Sequence, residues 1–139
     1  MTQGLVIKNN IVTEVSKDIN LDVIIPQDIK EIGDHAFAKT KIKSIIIDEG
    51  LVTIHPFAFY ECTELEKVIL PSTIKHISMH AFDGCTNLKE IIIPKDCFYV
   101  GWYAFNKCIN LTIHYLGKSI PKNWSNKWNN QNCEIILGK

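Results

Sequence analysis

Cysteine is the most reactive side chain in this sequence of 139 residues, which contains five of them. Cys62, Cys85 and Cys108 lie 23 residues apart, and none belongs to the close Cys-x-x-Cys pair that usually supplies two zinc ligands. If this interval marks stacked repeats, neighbouring cysteines lie roughly 5 Å apart, a distance that permits a disulfide. Side chains that project in the same direction rarely reach the disulfide torsion, so we interpret all three as small buried hydrophobic residues. We interpret Cys97 as a core residue too, whereas Cys133 does not fall on the 23-residue spacing of the other three and is left unassigned.

Histidine is the second candidate for metal binding or acid–base chemistry. His35 and His80 each directly precede an Ala-Phe pair, and Phe57 and Tyr103 occupy the same position before two other such pairs. A metal shared by the two histidines would have to reach across Phe57, so we predict no metal site. The four residues instead predict a partly exposed ridge in which planar rings stack on one another.

Other catalytic arrangements are missing from the sequence. The chain has no Gly-rich phosphate-binding loop and no pair of carboxylates that recurs on one face. No Ser-His-Asp or Cys-His set can be argued from the spacing, because the cysteines are assigned to the core. We therefore predict that the protein is not an enzyme and that it needs no cofactor.

Composition and charge argue against two further classes of partner. Hydrophobic residues make up 46% of the chain, and fifteen basic side chains balance fifteen acidic ones. A neutral chain lacks the positive patch typical of proteins that bind nucleic acid or anionic membranes, so we predict neither partner. The apolar runs are only a few residues long, too short for a membrane span. The N-terminus shows no secretory signal, which indicates a cytoplasmic protein unless a leader has been removed.

An internal repeat of 22–23 residues organises these candidates. The pair Ala-Phe recurs four times, at 36–37, 58–59, 81–82 and 104–105, with spacings of 22, 23 and 23 residues. The columns that recur with it are Ile32, Ile54, Ile77 and Val100; Ile29, Leu51, Ile74 and Cys97; Thr40, Cys62, Cys85 and Cys108; and Ile42, Leu65, Leu88 and Leu111. One unit of this size cannot bury its apolar side chains alone, whereas stacked units join each column into a continuous core. The repeat therefore predicts a solenoid.

Each unit contains a short apolar run, such as Ile45-Ile46-Ile47 or Ile91-Ile92-Ile93, which favours a β-strand. Side chains alternate along a strand, so the middle residue of each run faces outward and its neighbours face the core. Pro26, Pro71 and Pro94 close three of the runs, since proline has no N–H to give to the ladder. Successive strands are expected to be parallel, and the Ala-Phe segment is expected to form one helical turn or an irregular bend.

We predict a single domain with three parts. Residues 1–20 form an N-terminal β-hairpin cap whose turn contains two asparagines. About four repeats occupy residues 21–111. Residues 112–139 form a C-terminal cap, in which Trp124 and Trp128 fit a helical turn and an apolar segment close to the end forms a last strand.

The segment from Leu65 to Leu88 follows nearly throughout the pattern Leu-x-x-Ile-x-Leu-Pro-x-x-Ile-x-x-Ile-x-x-x-Ala-Phe-x-x-Cys-x-x-Leu. This pattern resembles the BspA-like class of leucine-rich repeats, and the similarity covers roughly residues 22–111. The resemblance implies a leucine-rich-repeat solenoid of the right-handed β/α type, with short parallel strands on its concave face and helical turns or irregular segments between them. It also implies protein recognition at a bacterial cell surface, often adhesin-like, and it brings no shared catalytic residues.

The outward column of the predicted sheet is the main indication of a binding surface. It consists of isoleucine in every repeat: Ile24, Ile46, Ile69 and Ile92. Flanking positions are mixed and polar, and an apolar strip with a polar rim is typical of protein interfaces. The alternative interpretation is that β-branched residues simply stack well on a parallel sheet.

From these patterns we predict a non-catalytic protein-binding module, whose partner the sequence does not identify. The predicted binding residues are the isoleucines Ile24, Ile46, Ile69 and Ile92, the flanking Lys67 and Glu90, and the ridge of His35, Phe57, His80 and Tyr103. The alternative function is a self-associating structural unit, a weak homo-oligomer joined through the isoleucines or through an end cap.

Overall fold

The computed structural model describes residues 4–138, so residues 1–3 of the predicted N-terminal cap and residue 139 lie outside the described part. Within residues 4–138 the chain forms twelve β-strands and no helix, and hence no helix that could cross a membrane. The strands are β1 (Leu5–Lys8), β2 (Ile11–Val15), β3 (Asp22–Ile25), β4 (Glu31–Ile32), β5 (Ser44–Ile47), β6 (Thr53–Ile54), β7 (Lys67–Ile69), β8 (His76–Ile77), β9 (Glu90–Ile93), β10 (Tyr99–Val100), β11 (Thr112–Tyr115) and β12 (Glu134–Leu137).

The longer parallel strands form one face of the solenoid, which we call the front sheet. It contains a group β3-β5-β7 and a group β9-β11-β12, and every hydrogen-bonded pair within the two groups is parallel. β7 and β9 are neighbours, but among the described strands no ladder of backbone hydrogen bonds joins them. The register keeps equivalent residues together, since Ile46 pairs with both Ile24 and Ile69. These are the parallel strands that the repeat predicted.

A second sheet, the back sheet, was not predicted. In it β2, β4, β6, β8 and β10 run parallel, and β1 pairs antiparallel with β2. From β4 onward its strands are two residues long. One residue from each parallel strand is fully buried: Val12, Ile32, Ile54, Ile77 and Val100. Sequence analysis recognised four of these residues as an apolar column, but two residues are too few to show the alternation by which a strand is detected.

The Ala-Phe segments are tight turns, so of the two predicted alternatives the helical turn is wrong and the irregular bend is correct. The residue before each Ala has a positive φ: His35 59°, Phe57 59°, His80 55° and Tyr103 56°. A residue in the left-handed region ends a right-handed helix. N–H groups that a helix would bond internally reach the next coil instead, as Phe37 N–H does by donating to Ala58 O at 2.8 Å. The solenoid is therefore built from β-strands and turns, and not from the β/α units that the resemblance implied.

The core consists of aligned columns, as the repeat predicted. Its centre is a ladder of fully buried rings: Phe37, Phe59, Phe82 and Phe105. Successive ring centroids are 5.2, 5.0 and 5.5 Å apart, with interplanar angles of 15°, 2° and 6°. These centroid distances are close to the separation of neighbouring β-strands, so the turns that carry the rings stack with the same spacing as the sheets.

The cysteine column lies beside the phenylalanine ladder. Cys62, Cys85 and Cys108 are fully buried, and their thiols donate to the carbonyls of the phenylalanines in the preceding coil at 3.0, 3.2 and 3.1 Å. Cys97 is buried as well, and none of the five cysteines forms a disulfide. The interpretation of these four cysteines as core residues is confirmed.

The two ends of the described chain are closed differently. At the N-terminal end, β1 and β2 form an antiparallel hairpin whose turn residues Asn9 and Asn10 have φ of 54° and 67°. At the C-terminal end, the strand period continues past Leu111, because β11 pairs with β9 and β12 pairs with β11. Trp124 and Trp128 are buried against each other, with ring centroids 4.9 Å apart, in turns and not in a helix.

Candidate binding face

The predicted outward isoleucines form a continuous stripe on the front sheet, which we call the isoleucine stripe. Their exposed fractions are 55% for Ile24, 38% for Ile46, 42% for Ile69 and 51% for Ile92. The residues on either side of each isoleucine in its strand include buried ones, so the alternation predicted for a strand is present. The stripe is therefore solvent-facing, apolar and held in register by the sheet beneath it.

The register extends this column by two residues that sequence analysis missed. His114 pairs with both Ile92 and Ile136, which places a histidine and then a fifth isoleucine at the C-terminal end of the stripe. Ile136 is 44% exposed. An interval of 22 residues would have identified both, because His114 lies 22 residues after Ile92 and Ile136 lies 22 residues after His114.

His114 is the only polar side chain in this column. Its Nε2 is buried and has no hydrogen-bond partner in the described part of the chain. Glu90 Oε1 lies 3.5 Å from it, close enough for an electrostatic contact but without hydrogen-bond geometry. The stripe therefore has one polar position, and an acidic group stands beside it.

Polar residues border the stripe at the preceding outward position, two residues before each isoleucine in its strand. Lys67 and Glu90, the predicted rim residues, are both exposed. Nearer the N-terminal end, Ser44 Oγ donates to Asp22 Oδ1 at 2.8 Å across neighbouring strands. The rim thus carries both charge signs within two adjacent coils, which favours directional contacts with a polar partner surface.

Two shallow grooves follow the stripe. One of about 420 Å³ lies over β7 and β9 and is lined by Glu66, Lys67, Val68, Ile69, Lys89, Glu90, Ile91 and Ile92. The other, of about 590 Å³, lies at the C-terminal end and is lined by Lys95, His114, Tyr115, Leu116, Ile136, Leu137 and Gly138. Both grooves combine an apolar floor with charged or polar edges, the arrangement expected of a surface that receives side chains.

The predicted ridge exists as a stack of rings. Centroids are 4.9 Å apart for His35 and Phe57 and 4.6 Å apart for Phe57 and His80, with the planes nearly parallel. His80 and Tyr103 follow at 5.6 Å with a tilt of 47°. Because the inner rings cover one another's faces, they offer mainly edges to solvent. The prediction that this ridge binds a partner is not tested by its geometry.

The stripe and the ridge belong to different parts of each coil. The stripe lies in the front strands, whereas the ridge lies in the turns that follow the back strands. The ridge is also held internally, since His80 Nδ1 lies 2.8 Å from Asp83 Oδ2, and Asn106 Nδ2 donates to Asp83 Oδ1 at 3.1 Å. Sequence analysis grouped the two features as binding residues, and the structure separates them.

The buried thiols are poorly suited to nucleophilic chemistry. Burial raises the pKa of Cys62 and of Cys97 to about 11, and it raises the pKa of Cys85 and Cys108 further. Burial also raises the pKa of the half-buried Cys133. The thiolate is the reactive form, so these five side chains are protonated and unreactive near neutral pH. Within residues 4–138 no group of three or more His, Cys, Asp or Glu side chains is placed to hold a metal ion.

A model of the BspA type leucine rich repeat region matches residues 12–134 as six copies. The chain belongs to this family. The resemblance seen in the sequence is thereby confirmed, and the six copies extend on both sides of the four repeats recognised at 21–111. They reach the hairpin strand β2 at one end and the start of β12 at the other.

Solved structures with the same fold include longer proteins. A leucine rich cell surface protein from Faecalibacterium prausnitzii A2-165 superimposes with a TM-score of 0.75 at 23% identity, over 93% of this chain and 35% of its own. The pneumococcal vaccine antigen PcpA gives 0.71 at 22% identity, over 94% and 44%. The T. pallidum leucine rich repeat protein TpLRR gives 0.65 at 18% identity, over 99% and 79%.

At these identities the likeness shows the fold alone. This BspA-type chain spans about a third of the length of the Faecalibacterium protein and less than half of PcpA. No curated protein gives a significant sequence match.

Proposed function

We propose that this BspA-type chain is a non-catalytic protein-binding module, and that its front sheet receives an apolar segment of the partner along the isoleucine stripe. The observation that carries the proposal is the stripe itself, in which four outward isoleucines remain 38–55% exposed in consecutive coils. An apolar strip of this continuity on a folded surface, bordered by charged residues, favours a protein interface.

Magnitudes indicate how much of the binding the stripe can supply. Fully covering an exposed isoleucine contributes about 1.5–3 kcal/mol, and these four are already about half covered, so a partner gains about 3–6 kcal/mol in total. Association itself costs about 4–15 kcal/mol. The stripe therefore supports weak binding alone, and a partner of useful affinity also contacts the rim at Lys67 and Glu90.

A place at a bacterial cell surface is part of the same proposal. The family consists of repeat proteins, and the solved structures that share the fold include one described as a cell surface protein and one as a vaccine antigen. An adhesin-like role is consistent with a neutral chain that carries a continuous stripe of exposed isoleucines on its front sheet. The non-catalytic part of the proposal rests on the unreactive thiols and on a front face without a catalytic set of side chains.

The substitution Ile69→Lys tests the stripe at its centre. Peptides selected by phage display on the wild-type chain are expected to lose at least tenfold in affinity for this variant, because a charge replaces the apolar contact. Ile109→Lys is the matched control, since Ile109 is 66% exposed outside the front strands and its change is expected to leave affinity within twofold. Peptides that bind both variants equally would exclude the stripe as the binding surface.

A further inference from the structure

Two neighbouring coils at the centre of the isoleucine stripe carry the same kinds of residue in opposite charge order. They share repeat positions 23 residues apart, and each presents an acidic residue, a lysine and an isoleucine: Glu66, Lys67 and Ile69 in the coil of β7, and Lys89, Glu90 and Ile92 in the coil of β9. All six side chains are exposed. The charge signs are therefore negative then positive in one coil, and positive then negative in the next.

These charges are largely unused by the chain itself. Within residues 4–138, no ion pair involves Glu66, Lys67 or Lys89. Glu90 lies 3.5 Å from His114 Nε2, and its side chain is still 70% exposed. A second surface can therefore contact both lysines and Glu66 without displacing an ion pair of the described chain.

We propose that two copies of this chain associate face to face through their front sheets, around a two-fold axis that runs parallel to the strands between β7 and β9. A rotation about this axis keeps the strand direction and reverses the order of the coils. β7 of each copy therefore lies over β9 of the other. Ile69 packs against Ile92 of the second copy, and the symmetry repeats this contact.

The same rotation brings opposite charges together. Lys67 lies opposite Glu90 of the second copy, and Glu66 lies opposite Lys89 of the second copy. The two-fold axis repeats each pair, so four pairs of opposite charge border the apolar contact. An apolar centre with a charged rim is the arrangement typical of a protein interface.

The groove over β7 and β9 provides room for this packing. Side chains interdigitate when two sheets pack face to face, about 10 Å apart. The groove of about 420 Å³ is lined by residues 66–69 and 89–92, the two segments that the axis exchanges. Each copy therefore presents a recess at the axis, which the isoleucines of the other copy enter.

Shifting the axis by one step along the sheet brings like charges together. An axis over β7 would place Lys67 opposite Lys67 of the second copy, and an axis over β9 would do the same for Glu90. An axis between β5 and β7 would place Asp22 opposite Glu90 of the second copy. Like charges that face each other destabilise a contact. The axis between β7 and β9 instead gives each of the four charges a partner of opposite sign.

This inference rests on the proposed function, because it names a second copy as a partner that the isoleucine stripe receives. The apolar contact is one residue wide, so association is expected to be weak, and sedimentation equilibrium is measured at concentrations up to about 1 mM. The weight-average mass should rise from 15.9 kDa toward twice that value and stop there. A mass that stays at the monomer value overturns the dimer. The proposed function would still stand in that case if Ile69→Lys weakened the binding of selected peptides.

Charge reversal tests the position of the axis. Lys67→Glu places a carboxylate opposite Glu90 of the second copy, and Glu90→Lys places an ammonium group opposite Lys67 of the second copy. Each variant alone should self-associate about tenfold more weakly than the wild type, because two attractive pairs become repulsive. In an equimolar mixture one variant supplies only acidic groups at these positions and the other only basic groups, so a heterodimer should form. A mixture that associates no better than its components overturns the two-fold arrangement.

Lys75→Glu is the matched control for the change in net charge. Lys75 is exposed and directly precedes the back strand β8, away from the front sheet. Its reversal changes the net charge of the chain as much as Lys67→Glu does, and it should leave self-association within twofold. An equal loss in the two variants would show that net charge, and not the facing of Lys67 and Glu90, controls the association, and it would overturn the proposal.

Discussion

At the scale of single residues, burial controls the chemistry of the cysteines. The Cys62 thiol lies in the core column, donates to Phe37 O at 3.0 Å, and has its pKa raised by burial from the ordinary 9.0 to about 11. In the unfolded chain the same thiol ionises near its ordinary value. The folded chain therefore holds a proton between pH 9 and pH 11 that the unfolded chain has released.

This difference predicts that the folded state loses stability as the pH rises through that window. The unfolded state binds fewer protons there, so the free energy of unfolding falls with pH, by at most about 1.4 kcal/mol per pH unit for each such thiol. Urea unfolding between pH 8 and pH 11 measures the slope. The variant Cys62→Ala should show a slope shallower by the contribution of one thiol; an unchanged slope would show that Cys62 ionises equally in both states.

The position of a residue was predictable from the sequence where that position repeats in every coil. The outward orientation of Ile69 and the burial of Cys85 both follow from position within the repeat. His114 and Ile136 were not predicted as part of the stripe. Thr112 directly follows Leu111, whereas its partner Glu90 lies two residues after Leu88, so the repeat pattern is lost in the sequence although the front sheet continues. Only the hydrogen-bonded register shows that these two residues belong to the stripe.

At the scale of elements, the turns decide what kind of solenoid forms. Four residues after the ridge, a second column also takes positive φ: Lys39 63°, Glu61 53°, Gly84 87° and Lys107 64°. Two left-handed residues in each turn leave too few consecutive helical residues for a helix. Glycine occurs at only one of these eight positions, so no strong sequence signal marks the left-handed turns, and a helical turn could not be distinguished from an irregular bend.

The glycine at this second position predicts a measurable strain. Gly84→Ala should reduce the free energy of unfolding by about 1–2 kcal/mol, since a side chain is disfavoured at this φ. A Cβ there would also lie only 3.0 Å from Glu61 Cγ and 3.1 Å from Glu61 Cα. Urea unfolding provides the measurement.

Lys39→Ala is the control for this prediction, because Lys39 already adopts the left-handed conformation and its backbone strain does not change. Its effect should remain within about 0.5 kcal/mol. If Gly84→Ala were as stable as the wild type, the turn at Gly84 would not require the conformation described above.

At the scale of the whole molecule, stacking separates the interior from the surfaces available for recognition. The phenylalanine ladder, the back-sheet column and the buried residues of the front strands fill the interior, which leaves each front strand from β3 to β9 an outward rim residue and an outward isoleucine. The sequence predicted this division because each column keeps its residue type. The back sheet was not predicted, because it depends on pairing between distant two-residue segments.

The proposed function depends on the isoleucine stripe as the surface that receives a partner. Chemical-shift mapping of the isotope-labelled chain, titrated with a phage-selected peptide, shows which surface the peptide contacts. We expect the largest shifts at Ile46, Ile69 and Ile92, with smaller shifts across the rim. Large shifts at His35 and Phe57, with the isoleucines unchanged, would contradict it.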